Sequence, residues 1–261
     1  MSRFVASLYD ALHAFEVRRH PAKTYPVHKT LVFDDGVTQD IYEWIIKHIE
    51  VPDRGVILDA GCGNGFGTAL LAERSRCDVL GISISPAEIA TAERVRPSSN
   101  VASRISFKLT SFDDMPADSF DFIVAVESLK HSEDLAASLA TLRTALRPDG
   151  RLVIVDDCYS GPADNELAKQ LIAHWGLKKL YTESDYLDLP ESVHSSSIDL
   201  SQFVKSRSRL GRLKLRLLPP LARLLGNKVD AQVRAAFAGG AILERLYVSG
   251  QMQYKAMIIS A

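Results

Sequence analysis

Cysteine is scarce in this 261-residue chain: Cys62, Cys77 and Cys158 are odd in number and widely spaced, so neither a disulfide framework nor a paired-cysteine metal site can be drawn. A reducing compartment, the cytoplasm, is the expected setting. An excess of one charge is missing too, since 31 Lys and Arg face 32 Asp and Glu, and a net charge of −1 argues against a general nucleic-acid role. No apolar run reaches the ~18 residues that a membrane span needs. The opening MSRFVASLYDALHAFEVRRH carries charges throughout and lacks the apolar core and small-residue cleavage site of a secretory signal, so secretion is not expected. Repeats and low-complexity tracts are also absent. What is present, 46% hydrophobic and 24% charged residues, suits a globular protein with one large core, with or without an added lobe.

The middle of the chain carries the clearest pattern. Apolar runs at 56–60, 78–84, 105–110, 120–126 and 151–157 alternate with helical patterns at 67–76, 86–96 and 133–146. Runs that are apolar on both faces and separated by helices predict a parallel sheet covered on both sides. Residues 1–50 read as mostly helical, broken at Pro21 and Pro26, and 163–238 as helical and polar. The segments 242–249 and 254–260 read as a closing pair of strands around Gly250.

The run VILDAGCGNGFGT passes from a buried strand straight into a helix, with four glycines in the turn. Glycines there allow positive φ and a close approach to a ligand, the setting of a nucleotide-type cofactor site. A dinucleotide fingerprint fails twice: Phe66 stands where glycine or alanine is needed, and Ser83 where an acid is wanted at the end of the second strand.

With Asp59, Gly61, Gly63 and Gly65, the loop resembles the acid-x-G-x-G-x-G motif of class I S-adenosylmethionine-dependent methyltransferases. GISISP at 81–86 resembles the second-strand motif of their tocopherol, sterol and cyclopropane-fatty-acid branches. The resemblance implies an α/β, Rossmann-like fold with a mostly parallel seven-stranded sheet. It also implies S-adenosyl-L-methionine as cofactor. The layout expected is a helical cover over 1–38, a cofactor core over 39–160, a helical lid or substrate insertion over 161–240 and a closing strand pair over 241–261. Cofactor contacts are expected from Asp59, Gly61, Cys62, Gly63 and Gly65, from Ser83 and Ile84, and from Glu88 as acceptor of the ribose hydroxyls. Further contacts are expected from Ser111, Phe112 and Asp113 around adenine, and from Val126 beside the methyl. Tyr25, in KTYPVHKTLVFDDG, occupies a position that commonly meets the methionine carboxylate in these branches, and His28 is within reach of the same pocket.

ESLKH at 127–131 resembles the M-E-S-G-E-H stretch of tocopherol-type enzymes through Glu127, Ser128 and His131, with Lys130 in place of a second glutamate. Glu127 is the expected electrostatic stabiliser and His131 the expected proton acceptor or orienter. No metal is called for. The function implied is methyl transfer to carbon or nitrogen of a lipophilic small molecule, terpenoid-, lipid- or alkaloid-like. O-methylation, or a cofactor-binding protein that catalyses a non-methylating reaction such as cyclisation, stands as the alternative.

Residues 203–228 hold eight Lys or Arg and no acid, interleaved with leucines. Such an element suits a lid helix, a peripheral contact with an anionic membrane, or a cap over an anionic acceptor. It lacks the aromatics that stacking on nucleic-acid bases would need. A homo-oligomer stays open.

Overall fold

A computed structural model describes residues 7–8, 10–11, 28–94, 96, 101–190, 192–204 and 231–260. Tyr25 and all but the first two residues of the basic stretch lie outside the described residues. A short hairpin, β1 (Thr30–Val32) and β2 (Thr38–Asp40), leads into α1 (Ile41–His48). The main sheet takes β3 (Val56–Ala60), β4 (Asp78–Ser83), β5 (Ile105–Leu109), β6 (Phe120–Val126), β7 (Leu146–Tyr159), β8 (Ser195–Asp199) and β9 (Met252–Ser260). Between these run α2 (Phe66–Arg74), α3 (Pro86–Arg94), α4 (Leu135–Ala145), α5 (Glu166–Trp175), α6 (Glu183–Leu187) and α7 (Ala231–Val248).

The seven strands lie in the order β5-β4-β3-β6-β7-β9-β8, parallel from β5 to β7, with β9 antiparallel to both of its neighbours. Alternation along each strand splits the core between two faces. Phe122, Val124 and Val126 pack toward α1 and α2, whereas Ile123 and Ala125 pack with Leu139 and Leu142 of α4. The chain turns outward from β3 to β4 and β5 and then crosses to β6 on the other side. That reversal opens a crevice at the carboxyl ends of β3 and β6, where open α/β sheets take their ligands.

Three expectations about the flanking segments change. Part of the helical cover is the β1–β2 hairpin, because Asp35-Gly36 makes a turn: Gly36 has φ of +81° and the Asp35 carboxylate accepts from the Val37 amide at 2.9 Å. Residues 242–248 are helix, not strand. Val233, Ala236, Gly239, Ile242, Leu243 and Leu246 are buried at helical spacing, and Gly250 ends the run with φ of +70°. The second closing strand is instead β8, drawn from a polar segment inside the expected helical insertion. Its SSSID sequence buries no side chain, so the backbone ladder to β9 defines it.

Candidate functional site

The loop after β3 is tied to the end of β4, since the Gly61 and Cys62 amides both donate to the Ile82 carbonyl, at 3.0 and 2.8 Å. Gly61, Gly63 and Gly65 all take positive φ. At Gly61 a Cβ would stand 2.5 Å from the Ser128 Cβ, while the Ser128 hydroxyl donates to the Ala60 carbonyl at 2.6 Å. The exit of β6 is therefore pressed against the glycine loop. Gly61→Ala is expected to lose 1–3 kcal/mol, about the cost of overpacking, and to weaken S-adenosylhomocysteine binding at least tenfold. Thermal unfolding and calorimetric titration measure the two effects.

Asp59 lies buried beneath this loop. Its carboxylate accepts from the Tyr42 hydroxyl at 2.8 Å and the Thr68 hydroxyl at 2.7 Å, which joins β3 to α1 and α2. Burial pushes its carboxyl up to about 6. His28 meets Asp40, the N-cap of α1, at 2.7 Å, and its ring lies 5.2 Å from that of Tyr42.

At the end of β4, where no strand acid stands, a carboxylate comes from the next helix. Glu88, in the first turn of α3, accepts from the Ser83 hydroxyl at 2.7 Å, while its amide donates to the Ser85 hydroxyl at 3.1 Å. Burial raises its carboxyl to about 7, and Asp10 adds to the rise. Ile84 beside it is half-buried. Ser111 caps the turn after β5 and donates to Asp113 at 2.9 Å, and Ser138 of α4 donates to the same carboxylate at 2.5 Å. Phe112 is buried in the α4 face of the core, which leaves its backbone as the part available to a ligand.

Beyond the buried Val126, Glu127 takes a left-handed conformation, φ +52°, that side chains with a Cβ rarely adopt. One Glu127 carboxylate oxygen accepts from the Lys29 amide at 3.0 Å and from the Tyr254 hydroxyl at 3.0 Å. The Lys29 ammonium bridges it, at 3.2 Å, to Asp157 at 2.8 Å. Lys130 lies 2.8 Å from Asp157, 3.5 Å from Glu127 and 3.6 Å from Asp156, and Tyr247 donates to Asp157 from α7. A second carboxylate thus joins Glu127 from the end of β7.

Electrostatics set what this cluster can do. Burial alone would raise the Glu127 carboxyl, but the Lys29 and Lys130 ammoniums outweigh it and hold the group at about 2. Asp157 is likewise driven below the usual carboxylate range by Lys130 and Lys29 against the pull of burial. His131 is lowered to about 3, first by burial and then by Lys130, so its ring is neutral near pH 7. Asp156 rises to about 6 on burial; it accepts from the Lys130 amide at 2.9 Å and the Tyr186 hydroxyl at 3.1 Å. Beside Lys130 and Asp157 lies a cavity of about 10 Å³, walled by Leu171, Trp175, Leu180 and Leu243.

The structure brings Glu127 and His131, both singled out in the sequence, into one cluster with Lys29, Asp157, Tyr247 and Tyr254, which the sequence does not single out. Two acids directly after the apolar run 151–155, at the carboxyl end of a parallel strand, were the available signal for Asp157. Tyr247 lies in a segment whose local preferences point to strand, which conceals its place on a helix.

The positive-φ glycine cradle, the Ser83–Glu88 pair and the half-buried Ile84 fit S-adenosylmethionine, whose adenosine and methionine ends need those contacts. A methyltransferase-domain family model matches residues 53–209, more than half of the chain. Methyltransferase GfsG of Streptomyces halstedii is 30% identical over 210 residues, 78% of this chain and 73% of that protein. The chloroplastic tocopherol O-methyltransferase of Arabidopsis thaliana is 29% identical over 137 residues, 52% of this chain, and the match spans only 37% of that relative. Among solved structures, geranyl diphosphate C-methyltransferase from Streptomyces coelicolor A3(2) superposes with a TM-score of 0.68 at 16% identity, over 99% of this chain and 98% of that one, which speaks for the fold. With a seven-stranded sheet, a glycine cradle at its switch point and these matches, the chain belongs to the methyltransferase-domain family of S-adenosylmethionine-dependent enzymes.

Proposed function

We propose that the protein transfers a methyl group from S-adenosylmethionine to a lipophilic small molecule at an atom that becomes positively charged as it is methylated: a basic nitrogen first, an alkene carbon second. The observation that carries this reading is the pairing of Glu127 and Asp157 beside the glycine loop, while Asp156, the neighbouring carboxyl raised to about 6, is already engaged by the Tyr186 hydroxyl and the Lys130 amide. A hydroxyl acceptor must give up a proton. Glu127 at about 2 and His131 at about 3 are poor acceptors for it, and Asp156 is engaged by Tyr186 and the Lys130 amide. A nitrogen lone pair needs only stabilisation of the charge that grows on it, which fixed carboxylates supply, whereas a methylated alkene carbon leaves a cation that must afterwards give up a proton and so ranks second.

Bound S-adenosylmethionine supplies a methyl group on a sulfonium. Glu88 and Ser83 hold its ribose, the Gly61–Gly65 backbone its methionine end, and the backbone at Ser111 and Phe112 its adenine. Asp59 braces the loop through Tyr42 and Thr68. Glu127 and Asp157 stabilise the acceptor's growing charge, and the neutral His131 ring orients it. The oxygen named for the tocopherol relative does not decide the acceptor atom, because that match covers about half of this chain.

Incubation with methyl-labelled S-adenosylmethionine and a panel of lipophilic amines, alkenes and phenols tests the reading. Label is expected in amine or alkene products, and label confined to phenol ethers would overturn it. Cofactor binding without any transfer would favour the non-methylating alternative. A second expectation concerns pH: the ionised Glu88 is the better acceptor for ribose hydroxyls, so cofactor affinity should rise as pH climbs through about 7. Calorimetric titration from pH 6 to 8 should show that rise in the wild type and a flat profile in Glu88→Gln.

A further inference from the structure

We propose that Glu127, Asp157, Tyr247 and Tyr254 form a cage for a positively charged group carried by the acceptor, separate from the uncharged atom that takes the methyl, and that the Lys29 ammonium fills this cage when no acceptor is bound. The inference rests on the proposed function only for the identity of the molecule that brings the cation.

The cage has the chemistry of a cation site on every described side. The Lys29 ammonium lies 3.2 Å from a Glu127 oxygen and within 2.8 and 3.0 Å of the two Asp157 oxygens. It also stands over the Tyr254 ring, 4.8 Å from its centroid, and 5.8 Å from that of Tyr247, distances at which a ring face attracts a cation. Both rings are held in place by their own hydroxyls, Tyr254 on Glu127 and Tyr247 on Asp157. These four walls come from the exit of β6, the end of β7, α7 and β9.

Lys29 comes from elsewhere. It precedes the three-residue strand β1, which pairs only with β2 and bridges through Leu31 to Val204, outside the main sheet. The Lys29 side chain and the four walls therefore come from separate elements; the Lys29 amide itself donates to Glu127 at 3.0 Å, so it is the side chain alone that would leave the cage. If Lys29 withdraws, Glu127, Asp157 and the neighbouring Asp156 share the single ammonium of Lys130, which leaves negative charge uncompensated in a buried place. An incoming ammonium restores the balance and repeats the contacts of Lys29; a neutral group of the same shape cannot. The cage adjoins the cofactor loop through Ser128, the residue after Glu127 and the one that packs on Gly61. A cation bound there stands next to the place where methyl transfer occurs.

Beyond its Cα the lysine side chain is butylammonium, which makes n-butylammonium the natural probe. In Lys29→Ala, calorimetric titration should show n-butylammonium binding at least tenfold more tightly than to the wild type, and n-butanol at equal ionic strength should not reproduce the gain. Adding Glu127→Gln to Lys29→Ala should reduce that affinity at least tenfold. Equal affinity of wild type and Lys29→Ala, or equal binding of butanol, would overturn the cage. If Lys29→Ala does not fold, the native chain decides. Saturating butyltrimethylammonium, which does not consume the reagent, should raise acetic anhydride labelling of the Lys29 amine at least threefold, and unchanged labelling would overturn the proposal. A cage that fails while label still passes to amines refutes this inference alone.

Discussion

Lys130→Met is expected to lose about 3–5 kcal/mol of folding stability at pH 7, the usual cost of removing one partner from a buried ion cluster. Lys130 faces three carboxylates, those of Glu127, Asp156 and Asp157, and its ammonium lies 5.5 Å from the Trp175 ring, with only 9% of its side chain exposed. Methionine keeps most of the volume, so the loss reports charge rather than packing. The pH dependence identifies the mechanism. Glu127 and Asp157 have depressed pKa values, so the stability they contribute is present above the unfolded carboxylate range near 4 and is lost as pH falls toward about 2 for Glu127. Without Lys130 these groups bind protons more readily, and the gap between wild type and variant should narrow steadily below pH 5. Urea unfolding at pH 7 and pH 4 measures it. A loss under 1 kcal/mol, or a gap that ignores pH, would contradict the electrostatic account of the cluster.

Glu127→Gln carries the largest expected effect on turnover, a fall in kcat of about 10²–10³, the range typical when one preorganised electrostatic stabiliser is removed. Glutamine is isosteric and can still accept from the Lys29 amide and the Tyr254 hydroxyl, so the left-handed turn at this position and the packing of Ser128 on Gly61 should survive. S-adenosylhomocysteine affinity should therefore change less than threefold. His131→Ala should reduce kcat less than tenfold, since a neutral imidazole that orients the acceptor contributes less than a charge that stabilises it. The reverse ranking, with His131→Ala the more damaging change, would return His131 to the role of base.

Much of the sheet was legible because its central strands are apolar on both faces and its helices are not. Val56–Ala60 and Phe120–Val126 coincide with the segments read from the sequence, and the glycine loop between β3 and α2 lies where its spacing put it. The edges were harder. Ser195–Asp199 holds a strand position through its ladder to β9 and offers no apolar alternation to read. Ile242–Val248 mixes β-branched and aromatic residues with leucines, so local preference pointed to strand while the burial pattern of the longer Ala231–Val248 segment made it helix. The site divided along the same line. Its proposed cofactor half lies in three short local motifs, at 59–65, 83–88 and 111–113, whereas its proposed acceptor half gathers Lys29, Glu127, Asp157, Tyr247 and Tyr254 from five separate segments, a grouping that exists only after β6, β7 and β9 have paired.

The central claim is that this site works by stabilising positive charge rather than by removing a proton. The most direct test is the pH profile of kcat, at saturating cofactor, for a weakly basic aromatic amine that is already uncharged across the range. Wild type and His131→Ala should give profiles of the same shape from pH 5.5 to 9, displaced by less than tenfold. A wild-type limb with an apparent pKa between 6 and 7 that His131→Ala erases would show that the site removes a proton, and would contradict the claim.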